Sequence, residues 1–173
     1  DVYLISAARM KTHNAVVATL SAKNVLQGAP VSHYRQKSVN TFIRNEKTKM
    51  HGGQQFWHNS GRELSYNLVR LALSGVQPDF AIIDGVTSIE GNGPWGGDVL
   101  EHGVSVASPD FVAADRICID LMGIDPAYMK YVEWCGTAGM GNFDRDRIRT
   151  IGAPVEDHII TYKLHEALDE QIA

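Results

Sequence analysis

Several things are scarce in this 173-residue chain, and each scarcity excludes a class of function. There are two cysteines, Cys118 and Cys135, with no CxxC spacing, so neither a thiolate zinc site nor an iron–sulfur cluster motif can be assembled from these residues. A reducing compartment fits such sparing use of cysteine. No apolar run approaches the ~20 residues that cross a bilayer, and no basic-then-apolar stretch leads the sequence. The expectation is therefore a soluble, cytoplasmic protein with no membrane partner. The balance of 16 basic and 20 acidic residues, a net charge of −4, gives no general attraction for nucleic acid, so any anion site must be local. GxSxG and GxxxxGK[ST] are both missing, which counts against common serine hydrolases and P-loop NTPases. His33, His51 and His58 lack the spacing of an HExxH metal helix.

What is present is a chain of the length of one domain, organised around residues 84 to 97, DGVTSIEGNGPWGG. Five glycines and a proline interrupt regular structure and predict a shaped loop. Phe80–Ile83 ahead of it reads as a buried strand, placing Asp84 at a strand's C-terminal end, where ligands gather in open α/β sheets. A plain surface turn would need the same glycines.

Taken in order, residues 2–7 form an apolar strand running into a polar cluster with Lys11 and His13. Residues 15–26 read as a helix closed by Gly28, with a strand as the alternative because the β-branched residues cluster early. Lys23 and Asn24 in it are either solvated surface or part of a site. Residues 32–53 carry a local excess of Arg and Lys, and 55–74 an amphipathic helix. After the central loop come a strand at 103–107 and a helix opened by Ser108-Pro109-Asp110. On its wheel Asp115 falls within the apolar arc, so this carboxylate must find a hydrogen-bonding, cationic or metal partner. A further helix starts at Asp125-Pro126, a short strand is expected at 148–151 and an edge strand at 158–163. Residues 155–173 read as a weakly anchored tail. The alternation predicts an α/β domain over 1–173 with a predominantly parallel sheet and helices on both faces, a three-layer αβα arrangement. The abrupt opening in a strand, without a methionine, leads us to expect a fragment lacking an N-terminal portion.

Lys11-Thr-His13, Ser21-Ala-Lys23-Asn24, Asp84-Gly85, Glu90-Gly-Asn92-Gly-Pro94 and Ser108-Pro-Asp-Phe-Val-Ala-Ala-Asp115, followed by Leu121-Met-Gly-Ile-Asp-Pro126, together resemble the prokaryotic domain-of-unknown-function family 362. The resemblance runs from about Leu4 to Pro154. It implies no particular activity. Family members are sometimes found beside ferredoxin-type iron–sulfur modules, so it implies a redox partner, while the cysteine motifs of cluster-bearing members are absent here. Family members are commonly longer at the N-terminus.

Two functional readings follow. In the first, the polar groups converge at one sheet edge: His13, Asp84, Glu90 and Asp115 for proton transfer or a divalent cation, and Lys11, Lys23, Asn24, Asn92 and Asp110 for a small anionic ligand. In the second, the same residues are buried fasteners in a non-catalytic module that docks a ferredoxin-type partner through Trp95 and the basic segment.

Overall fold

The structure, a computed structural model, describes residues 2–28 and 60–168. Among the described residues four strands form one sheet in the order β2-β1-β3-β4: β1 Ile5–His13, β2 Val17–Thr19, β3 Phe80–Glu90 and β4 Asp98–Ser108. Only β1 and β3 are parallel; β1–β2 and β3–β4 are antiparallel. The predicted parallel sheet is thus corrected to a mixed one, and connection length is the cause. A parallel crossover needs about a dozen residues or more, and neither the turn at 14–16 nor the loop at 91–97 supplies them. The long excursion from β2 to β3 does.

Strand lengths also depart from expectation. β1 continues through the polar cluster because alternation persists there: Ser6, Ala8, Met10 and Thr12 are buried, while Arg9 between them is exposed and Lys11 is partly so. β3 runs on past Asp84 to Glu90, so Asp84 sits within a strand and not at its end. Gly85 allows this, since a Cβ there would collide with Met10 Sδ and crowd Val104. The expected strand at 148–151 makes no ladder. Ile151 is 91 % exposed, and the segment follows a 3-10 turn at Arg145–Arg147 as unpaired extended chain. Likewise the 158–163 segment pairs with a helix end, not with the sheet: Ile160 and Tyr162 donate their N–H groups to Leu121 and Met122 carbonyls at 2.9 and 3.0 Å.

The helices are α1 Ser21–Lys23, continued by a π-turn over Asn24–Gly28, then α2 Ser60–Leu73, α3 Phe111–Leu121 and α4 Lys130–Thr137. Residues 15–26, read as one helix, are a hairpin strand followed by a helix, the alternative that the early β-branched residues had pointed to. α1 and α3 pack on the sheet through a core that includes Met10, Leu20, Leu26, Ile83, Val112 and Ile119. α2 packs on α4 and the π-turn. The opposite sheet face, with Ile5, Arg9, Ile82 and Val86, is exposed, so among the described residues the helices cover one face and the three-layer expectation is not met. Segment 29–59, with the basic stretch and the start of the 55–74 helix, lies outside the described residues.

Candidate functional site

The β1–β2 hairpin assembles a set of hydrogen-bond donors. Lys11 pairs directly with Thr19, and directly opposed residues of an antiparallel pair project from the same face. His13, two residues beyond Lys11, projects there too. The Nδ1 of His13 accepts the Ala15 N–H at 3.0 Å, which puts the ring proton of the neutral imidazole on Nε2 and makes that nitrogen a donor. The Thr19 hydroxyl is buried, the residue being 8 % exposed, and Oγ1 makes no hydrogen bond. Opposite His13, Val17 holds φ at 68°. A β-branched residue in the left-handed region is a true outlier, of the kind that gathers at binding sites.

The glycine-rich loop, 91–97, lies beside the end of β1, but through Thr12. The Thr12 hydroxyl donates to the Gly91 carbonyl at 2.8 Å, and a Cβ on Gly93 would collide with the Thr12 carbonyl. Glu90 and Asn92 are given other partners. The Glu90 carboxylate accepts the Lys163 N–H at 2.9 Å and meets its ammonium at 3.2 Å. Asn92 Oδ1 accepts the Glu166 N–H at 3.2 Å, and Gly91 N–H donates to the Lys163 carbonyl at 2.7 Å. Residues 159–166 are therefore strapped across the loop, and Tyr162 and Leu168 are buried. Further support comes from His102, whose Nε2 contacts the His158 carbonyl and whose Nδ1 contacts the Tyr162 hydroxyl. The stretch expected as a weakly anchored tail is fastened at all these points as far as Leu168.

A second polar cluster sits toward the opposite end of the sheet. Asp115 is fully buried and accepts from the Ser21 N–H at 2.8 Å, the Ser21 hydroxyl at 2.5 Å and the Ala22 N–H at 3.1 Å. It caps α1 from a different helix, because the N-cap residue, Leu20, has no side chain able to do so. Burial outweighs these three donors and pushes the Asp115 carboxyl up to about 7. Asn24 Nδ2 donates to Ser6 Oγ and the Ala7 carbonyl, both at 3.2 Å, covering β1 where β2 has stopped. Asp110 caps α3 through the Ala113 N–H at 2.9 Å and holds the Asn142 N–H, also at 2.9 Å. Lys23 is buried beside this network. Asp84 is separate from both clusters, on the open face against Arg9 at 3.5 Å.

The single converging cluster expected from the sequence is thus divided. Lys11 and His13 share the hairpin; Glu90 and Asn92 hold the strap; Asp110, Asp115 and Asn24 fasten the helices to the sheet; Asp84 stands apart. Among the described residues, no three His, Cys, Asp or Glu side chains are grouped to hold a metal ion. Thr19, Ser21 and Lys163 were missed by sequence reasoning. Thr19 was visible only as one β-branched residue of a segment read as helical.

The family described as "Domain of unknown function (DUF362)" matches residues 2–120. The chain belongs to this family. The match takes in β1 to β4 and nearly all of α3, and so both polar clusters. Among curated proteins, the "Thylakoid-associated protein sll1697" of Synechocystis sp. (strain ATCC 27184 / PCC 6803 / Kazusa) is 27% identical over 169 residues, covering 95% of this chain and 46% of the relative. The chain therefore spans a little under half the length of that relative. No solved structure gives a significant match. Among the described residues, no helix is long and apolar enough to cross a membrane.

Proposed function

We propose that this DUF362 domain binds a small anionic ligand at the C-terminal end of β1, with the Lys11 ammonium and the Thr19 hydroxyl as its donors. The observation that carries the reading is the Thr19 hydroxyl, buried without a partner directly across the ladder from a lysine. Burying an unpaired hydroxyl costs about 1–3 kcal/mol, and an acceptor bound at the site would recover that cost. Two donors of which one is cationic suit a phosphate or carboxylate oxygen. Asp110, Asp115 and Asn24, each engaged by backbone or side-chain partners, act as fasteners that hold α1 and α3 against the sheet.

Calorimetric titration of the protein with inorganic phosphate tests the reading. The wild type is expected to bind with an affinity that falls as salt rises, and Lys11→Met to bind ~10-fold or more weakly, as the loss of a charged hydrogen bond implies. Absence of phosphate binding by the wild type, or an unchanged affinity in Lys11→Met, would contradict it.

A further inference from the structure

Among the described residues, the sheet face turned away from the helices is partly apolar and unpartnered. Ile5, Ile82 and Val86 are 53, 43 and 58 % exposed, and Ala7 and Ala107 beside them are exposed as well. β1 and β3 pair in parallel there, and parallel strands are as a rule buried on both faces. Within the patch Arg9 and Asp84, each about half exposed, meet at 3.5 Å. This is a loose contact, worth little while water screens it, and the guanidinium fork has donors to spare.

Register sets these side chains in rows across β1 and β3: Ile5 beside Phe80, Ala7 beside Ile82 and Arg9 beside Asp84. β4 continues the second and third rows with Ala107 and Ser105. Two of the rows join unlike side chains, small with large and cation with anion. A two-fold axis parallel to the strands, running above the seam between β1 and β3, exchanges the two positions of each row between facing sheets. Ala7 would then meet the partner's Ile82, and Arg9 the partner's Asp84. Sheets packed face to face lie ~10 Å apart with their strands within about 30° of each other, so arginine and aspartate side chains reach across. Neighbours of opposite charge in one copy become opposed pairs between two, which makes the patch self-complementary, as an isologous interface requires.

We propose that this face is the interface of a two-fold dimer of the chain, closed by reciprocal Arg9–Asp84 pairs between the copies. It does not depend on the anion site. Sedimentation velocity over a range of protein concentrations tests it, and the wild type should dimerise reversibly. Arg9→Glu and Asp84→Arg each set like charges against one another across the interface, and each should weaken the dimer by ~10-fold or more. Both side chains are about half exposed, so both variants should keep the fold; Ile82→Lys, on the adjacent row, should dissociate the dimer as well and serves if Asp84→Arg does not fold. Mixed in equal amounts, Arg9→Glu and Asp84→Arg should associate with each other about as tightly as the wild type does with itself, because every pair across the interface is again of opposite charge. Such recovery requires a contact between copies, since mixing cannot repair one within a copy. A wild type that stays monomeric at every concentration would overturn the proposal, and so would a dimer that the variants leave intact. Lack of recovery in the mixture, with both variants folded, would overturn it too, because the dimer contact would then lie elsewhere.

Discussion

Asp115 converts the packing of α1 against α3 into a pH dependence that can be measured. An unfolded aspartate titrates near 3.8, and in the fold Asp115 is pushed up to about 7, burial being the largest cause and the donors of Ser21 and Ala22 opposing it. Between those values the folded protein keeps a proton that the unfolded chain has released. This contribution to stability is fully present below about pH 4 and is lost as pH rises to 7 and above. A shift of about three pH units corresponds to ~4 kcal/mol at ~1.4 kcal/mol per unit. Asp115→Asn cannot ionise, and it sets one amide N–H against the donors that the carboxyl satisfies. It should be less stable than the wild type at pH 5, by ~2–4 kcal/mol, with the deficit shrinking by a comparable amount at pH 8. Asp115→Ala leaves the Ser21 and Ala22 N–H groups without an acceptor, whereas the Ser21 hydroxyl still has the Phe111 carbonyl at 3.4 Å. At ~1–3 kcal/mol for each orphaned group, the expected loss is ~2–5 kcal/mol. Urea denaturation of all three proteins at pH 5 and pH 8 reads both effects. A wild-type-to-Asn difference that is the same at the two pH values would refute the argument, because it would show that Asp115 does not titrate in that window.

Two further perturbations follow from the loop and its strap. Glu90→Ala removes the acceptor of the Lys163 N–H and should speed proteolytic cleavage within 159–168, the global stability falling by only ~1 kcal/mol because Lys163 is 71 % exposed and its ion pair is well screened; cleavage at the wild-type rate would mean that the strap is held elsewhere. Gly93→Ala drives a methyl group into the Thr12 backbone and should destabilise by ~1–3 kcal/mol, a loss that thermal melting would register and that a flexible loop would not produce.

How far the sequence disclosed this arrangement depended on what each signal measures. The Asp115 wheel position was legible because burial on a helix follows a fixed angle per residue; Ser108-Pro109-Asp110 marked the start of α3 to within two residues, although Asp110 is the N-cap and Pro109 lies ahead of it. Sheet polarity was misread because short apolar runs carry no direction; the brevity of the 14–16 and 91–97 connections decides it. The ends of β1 and β3 were cut short where polarity increased, although Ala8, Met10 and Thr12 still alternate with Arg9 and Lys11. The expected convergence on one edge failed with that error, since moving Asp84 into the middle of a strand took it away from Glu90. Thr19 could not have been singled out from sequence, because a missing hydrogen bond is a property of the folded surroundings and not of the residue. The β3–β4 hairpin, the strap over Glu90 and the cap on α1 all depend on contacts between residues far apart in the chain.

The central claim, an anion site whose defining donor is the Thr19 hydroxyl, is tested most directly by Thr19→Val, read in two ways on the same protein. Valine keeps the shape and removes a buried hydroxyl that has no partner, so without ligand the variant should be as stable as the wild type or more so. In phosphate titration it should bind ~5–10-fold more weakly, the loss of one hydrogen bond to an ionised acceptor. Intact stability with weakened binding is the predicted result. A variant that binds phosphate as tightly as the wild type, or one that is destabilised without ligand, would contradict the account, because the hydroxyl would then be serving the fold and not the ligand.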